Sequence, residues 1–154
     1  MDLFRGLLAK GYPRSVMASN EAGTSARLAY ELLTEAHADA LFPGLSDPRV
    51  WAYIDGNDGL ALDAMRARFA HLAAGPADPR PGVVWLNAAV RERQGSYVGR
   101  LEATVYDGVW AEIAYIFAPA FWGKGYATEA VQWWLEALGV SEVWIATRPD
   151  NAAS

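Results

Sequence analysis

Residues 118–140 read APAFWGKGYATEAVQWWLEALGV, a glycine-bracketed lysine followed by a helical pattern. Val131, Trp134, Leu135 and Leu138 recur on one face of a helix, and Gly139 closes it. The run before it, WAEIAYIF at 110–117, alternates as a strand does. The glycine segment between them is therefore a strand-to-helix turn. A helix start carries unpaired backbone N–H groups and the positive end of the dipole, so it attracts anions once side chains stand clear. Gly123 and Gly125 clear that approach and permit φ > 0, and Ala127 is nearly as small. The turn is shaped to hold phosphate, although the same pattern also serves plain chain reversal. Two nucleotide loops are excluded: no Ser or Thr follows Lys124, so this is no Walker loop, and G-x-G-x-x-G fails at Thr128.

Working outward, VVWLNAAV (83–90), YVGRLEATVY (97–106) and WAEIAYIF are separated by RERQGS and DGV, the spacing of an antiparallel meander. VSEVWIATR supplies a further β-branched run after the helix. Upstream, Leu28, Tyr30 and Leu32 alternate as a strand. Thr34 reads as the N-cap of a short helix through Phe42 with Glu35 in its first turn, PGLSDP stops it, and Ser46 caps another turn carrying Val50, Trp51 and Ile54. DGNDG at 55–59 reads as a tight turn, since Arg66 stands where a calcium loop needs a glutamate. Leu62, Met65, Phe69 and Leu72 predict an amphipathic helix over 60–73, ended by the proline-rich loop GPADPRPG. This order predicts an α/β (α+β) domain, a mixed, mostly antiparallel sheet flanked by helices. Trp133 and Trp134 are adjacent and cannot share a helix face, so Trp134 joins the core and Trp133 needs another surface, such as a partner chain.

At 154 residues the chain fits one domain over 26–154, preceded by an extension of uncertain order over 1–25. Thirteen basic against 18 acidic residues give a net charge of -5, which argues against nucleic acid and suits a cationic amine. With no cysteine there are no disulfides, no thiolate catalysis and no Cys-based zinc site. His37 and His71 alone make no metal cluster and show no evident partner, so both are assigned to surface or packing roles. Apolar runs far shorter than the roughly 20 residues of a membrane span, and the lack of a secretory h-region, point to a soluble cytoplasmic protein with no membrane association.

The segment Trp122-Gly123-Lys124-Gly125-Tyr126-Ala127 resembles the pyrophosphate motif Q/R-x-x-G-x-G/A of the GNAT superfamily of acetyl-CoA-dependent N-acetyltransferases. The form W-G-K-G-Y-A-T-E-A is similar to its ribosomal-protein N-terminal acetyltransferase-like branch (RimJ/RimL type). Trp122 departs from the usual Gln or Arg, but backbone N–H groups do most of the holding. AEIAYIFAPAFWGKGYATEA resembles the family's fourth strand and CoA loop, and VWIATRPDNAAS its fifth strand and the N-x-x-S start of the next helix. The resemblance implies a GNAT fold with acetyl-CoA as cosubstrate and no metal. It places pantetheine between the splayed strands beside Ile116 and Phe117, and pyrophosphate on the N–H groups of Gly123, Lys124, Gly125, Tyr126, Ala127 and Thr128. Lys124 either adds a charged contact or stays free on a solvated loop.

It further implies direct transfer in a ternary complex. Ser154 matches the serine that protonates the CoA sulfur, and Asn151 holds pantetheine or the strand, its plain alternative being a helix cap after Pro149. Glu112 is the candidate base, acting through water, or else an ordinary solvent-facing carboxylate. Alternation sets Glu112, Ala114 and Ile116 on one face and Ile113, Tyr115 and Phe117 on the other. Tyr115 is a lesser candidate, and Trp85, Trp51 and Tyr53 shape the acceptor cleft or pack in the core.

Members of the family continue past N-x-x-S into two more strands, so the fold reads as C-terminally truncated, with the fifth strand an exposed edge that a homodimer would cover. Two functions follow. One is an N-acetyltransferase acting on a primary amine: a protein N-terminus, an amino acid or a small amine. The other is a non-catalytic CoA-binding or interaction protein.

Overall fold

A computed structural model describes residues 21–55 and 61–151. Six strands form one sheet in sequence order: β1 (Glu21–Thr24), β2 (Leu28–Leu32), β3 (Val83–Glu92), β4 (Tyr97–Tyr106), β5 (Trp110–Phe117) and β6 (Glu142–Ile145). Every neighbouring pair is antiparallel except β5–β6, which is parallel. That exception follows from the connection: a helix carries the chain from the end of β5 back to the start of β6. This is α4 (Tyr126–Leu138), and α1 (His37–Leu45), α2 (Pro48–Trp51) and α3 (Leu62–Ala74) precede β3. The meander and the alternating strand at Leu28–Leu32 stand as the periodicity predicts. Glu21–Thr24, within the segment read as an extension, adds the edge strand β1 with Ala22 buried.

The sheet has two covered faces. On one, α4 packs Ala130, Trp134, Ala137 and Leu138 onto Tyr30, Leu101, Val105, Ile113 and Phe117. On the other, Leu41 and Leu45 of α1 and Met65, Phe69 and Leu72 of α3 pack against Leu33 and Ala89. Burying each large apolar side chain contributes about 1.5–3 kcal/mol, so the stripe at Met65, Phe69 and Leu72 is what holds α3 to the sheet.

Several local expectations are corrected. Helix α1 starts at His37, three residues after Thr34, whose carbonyl accepts the His37 N–H; Ala36 stands at the N-cap, Glu35 precedes the helix, and Asp39 is its first-turn acid. Pro43 does not stop α1 but lies within its last turn, where its missing N–H costs the helix one bond. Asp47 rather than Ser46 caps α2, accepting the Arg49 N–H at 2.9 Å, while Ser46 closes α1. In α4, Leu135 is half-exposed, and Trp133 is buried within the same chain, stacked on Tyr30 with ring centroids 3.7 Å apart. Trp133 and Trp134 share one core cluster, their ring centroids 5.9 Å apart, and Gly23 of β1 lies against the Trp133 ring, so the two do not need separate surfaces and a partner chain is not what buries Trp133. His37 is also not partnerless: its Nδ1 accepts the Thr34 N–H at 3.0 Å, and Nε2 lies 3.1 Å from Glu31. The turn read at 55–59 lies, beyond Asp55, outside the described residues.

Candidate active site

The sheet opens where the candidate cofactor residues lie. Strand β6 pairs with β5 only from Trp110 to Ile113, so Ala114–Phe117 run on with no β6 partner among the described residues. The Ile116 carbonyl lies against Gly99 of β4, and a Cβ at Gly99 would collide with it. Backbone groups alternate sides along a strand, so the polar groups of Phe117 face the opening. The Phe117 carbonyl accepts the Trp122 indole N–H at 2.7 Å. Trp122 thus ties the loop to the strand end by its side chain, a role the sequence comparison with Gln or Arg does not reveal.

Beyond Phe117 a single 3-10 turn (Pro119–Phe121) leads into the glycine loop. Gly123 and Gly125 have φ of 71° and 76°, the left-handed region that favours glycine. Gly125 is the N-cap of α4 and no side chain caps that end. The first intrahelical bond runs from the Glu129 N–H to the Gly125 carbonyl at 3.1 Å. The N–H groups of Tyr126, Ala127 and Thr128 are therefore left without intrahelical acceptors. A Cβ at Gly123 would meet nothing within 4 Å, so the space beside this glycine is open. This geometry fits a phosphate or pyrophosphate. Lys124 carries its Nζ 5.3 Å from the Phe121 ring, and Arg49 lies 6.0 Å from the Trp122 ring.

Glu102, Thr104 and Glu112 share the face of the sheet that α1 and α3 cover. Register places Glu112 opposite Thr104 on β4 and Trp144 on β6, and Glu102 opposite Ala114. The two carboxylates differ in environment. Glu102 pairs with the buried guanidinium of Arg100 and lies 4.0 Å from Arg68 of α3. Burial pulls the Arg100 pKa down to about 9, and the Arg68 charge adds to that, yet Arg100 stays cationic at neutral pH. Glu112 is exposed and accepts a hydrogen bond from the Tyr106 hydroxyl at 3.2 Å. Of the two, Glu112 is the carboxylate not held between guanidinium groups. Ile116, on the same face, packs against the α1–α3 core, while Tyr115 packs on the α4 side.

Asn151 is half-buried in a turn in which its N–H donates to the Arg148 carbonyl at 3.0 Å. Ser154 lies outside the described residues. Trp85 meets the His71 ring edge-on at 5.5 Å, Trp51 donates to the Leu45 carbonyl, and Tyr53 is exposed. Among the described residues no group of His, Cys, Asp and Glu is arranged to hold a metal ion, and no helix is long and apolar enough to cross a membrane.

Sequence reasoning missed the residues that brace the loop. Arg27, in the turn between β1 and β2, donates from Nε to Glu129 at 2.6 Å and from Nη1 to the Lys124 carbonyl at 2.9 Å. Ser25 and the Arg27 N–H also donate to Glu129. Glu129 is legible as the acidic first-turn residue of α4, but nothing local marks Arg27, 102 positions away.

Solved acetyltransferases share this architecture. An acetyltransferase of the GNAT family from Bacillus anthracis superposes with a TM-score of 0.67 at 22% identity, covering 85% of this chain and 76% of its own. An acetyl transferase from Salmonella typhimurium that modifies the N-terminal serine of the 50S ribosomal subunit protein L7/L12 superposes with 0.66 at 17%, covering 84% and 76%. The aminoglycoside acetyltransferase AAC(6')-Ib in complex with coenzyme A superposes with 0.63 at 15%, covering 82% and 78%. At these identities they show the fold alone, whereas the acetyltransferase (GNAT) domain model matches residues 27–154. The chain therefore belongs to the GNAT acetyltransferase family, as an acyltransferase of the class that moves acetyl from acetyl-CoA to an amine.

Proposed function

We propose that this chain binds acetyl-CoA across the opening beyond Ile113 and transfers its acetyl group directly to a primary amine. The observation that carries the reading is the uncapped start of α4, with three free N–H groups behind two left-handed glycines at the end of a strand that has lost its parallel neighbour. The N–H groups of Gly123 through Thr128 hold the pyrophosphate. Phe117 and Asn151 flank the pantetheine. Acetyl-CoA supplies an activated thioester, and the protein's part is to orient it and to manage protons.

Glu112 takes the amine proton through a water, leaving the nitrogen lone pair free to attack the thioester carbonyl. As the C–N bond forms and the C–S bond breaks, the departing sulfur takes a proton, for which Ser154 is the proposed donor. The exposed Glu112 and the net charge of -5 favour acceptors that arrive as cations, whether a protein N-terminus, an amino acid or a small amine. Two of the similar structures, by their names, act on a ribosomal protein N-terminus and on aminoglycosides, which bracket this range. Among the described residues β6 has no second neighbour, an edge that a second copy of the chain in the cytoplasm would suit.

The test is transfer of labelled acetyl from acetyl-CoA to a panel of N-terminal peptides, amino acids and polyamines. The reading expects at least one acceptor, with transfer abolished in a folded Gly125→Trp variant. Binding of coenzyme A with no transfer to any amine would favour a non-catalytic CoA-binding protein instead.

A further inference from the structure

We infer that Arg27 is a positioning residue for the acyl donor: from the β1–β2 turn it sets the direction of the Lys124–Gly125 peptide and cancels the charge of Glu129 beside the phosphate loop. The inference rests on the phosphate-loop reading above and extends it to a residue outside the loop.

The peptide unit is planar and trans, so the Lys124 carbonyl and the Gly125 N–H point in opposite directions. Arg27 Nη1 holds that carbonyl at 2.9 Å. The Gly125 N–H is consequently turned away from Arg27, and in the phosphate-loop reading it joins those of Tyr126, Ala127 and Thr128 in holding the pyrophosphate. Gly125 itself presents its Cα to Arg27, since a Cβ there would come within 3.5 Å of Nη2. One guanidinium thereby fixes both the peptide and the left-handed residue next to it.

Glu129 makes the second part necessary. A carboxylate in the first turn of a helix is favoured by the dipole, but here it competes with an incoming anion for the same positive field. Its Oε1 accepts from Ser25 Oγ at 2.6 Å and from the Arg27 N–H at 2.7 Å, and Oε2 accepts from Arg27 Nε at 2.6 Å. Burial alone would raise the Glu129 pKa, but these bonds outweigh it and hold the group ionised. Arg27 also lies 4.5 Å over the Tyr126 ring, and the Tyr126 hydroxyl donates to Glu92 at 2.7 Å, so the brace is anchored to β3 as well. Arg27 is about half-exposed, and its removal leaves no buried cavity.

The experiment is calorimetric titration of the full chain with coenzyme A, beside steady-state kinetics with the best acceptor. Arg27→Ala is expected to weaken coenzyme A about tenfold and to raise KM for acetyl-CoA by the same factor, with kcat within twofold, the loss of one charge-assisted contact set. Arg27→Lys, which cannot reach both partners in a fork, is expected to fall between. Adding Glu129→Gln to Arg27→Ala is expected to recover part of the affinity, because the stray carboxylate is then gone. Unchanged affinity in folded Arg27→Ala, or a fall in kcat with KM preserved, would overturn the inference while leaving the loop reading intact. Failure of the wild-type chain to bind coenzyme A would overturn both.

Discussion

Replacing Gly123 separates strain from obstruction at the proposed phosphate loop. Gly123 holds φ at 71° and a Cβ there touches nothing within 4 Å, so an added side chain costs the folded protein only conformational energy. For alanine in the left-handed region that cost is about 1–2 kcal/mol. In a domain of this size it lowers Tm by roughly 2–8 °C. Asparagine tolerates the region better, so Gly123→Asn should melt within about 2 °C of wild type. Both residues nonetheless project atoms into the open space beside the loop, where the proposed pyrophosphate lies. Losing one N–H contact to a charged phosphate costs about 1.5–3 kcal/mol, or roughly ten- to a hundredfold in affinity. Scanning calorimetry and coenzyme A titration on the two variants give both numbers. A Gly123→Asn protein with wild-type Tm and wild-type affinity would refute the reasoning, because the anion would then not approach over Gly123.

Other consequences follow from the same packing and charges. Trp133→Ala removes the ring stacked on Tyr30 and should cost about 3–5 kcal/mol, a Tm loss of roughly 6–20 °C; an unchanged Tm with loss of a dimer would show that a partner chain covers Trp133 after all. Glu112→Gln should lower kcat about a hundredfold or more while KM for acetyl-CoA and Tm stay unchanged, and full activity in the variant would remove Glu112 as base. Burial tends to raise the Glu31 pKa, but donors from Arg91, Tyr97 and His37 outweigh it and pull it to about 2. Because this folded value lies below the ordinary 4.5, Glu31 contributes stability that is complete above about pH 5 and fades as pH falls toward 2. Denaturant midpoints measured from pH 6 to pH 2.5 should therefore drop more steeply in wild type than in Glu31→Gln.

What the sequence shows is set by the range of the physics involved. Period-two runs at 83–90, 97–106 and 110–117 report which side chains alternate between faces, a local property, and these strands stand where they were read. The glycines before α4 are equally local, since a left-handed turn leaves its mark in the residue that adopts it. Caps were misread because Thr34, Ser46 and Asp47 all have capping side chains, and the choice among them depends on where α1 docks on the sheet. Trp133 was misjudged because its surface comes from Tyr30 and β1, about a hundred residues away in the chain. Arg27 shows the same limit at the site: its contacts to Lys124 and Glu129 bridge 97 and 102 positions, and no periodicity records them.

Whether the start of α4 and the gap beside β5 hold acetyl-CoA is answered by calorimetric titration of the wild-type chain with acetyl-CoA. Saturable one-to-one binding in the micromolar range is expected, abolished by Gly125→Trp. A folded chain that takes up no acetyl-CoA, or a Gly125→Trp variant that binds it as wild type does, would contradict that expectation.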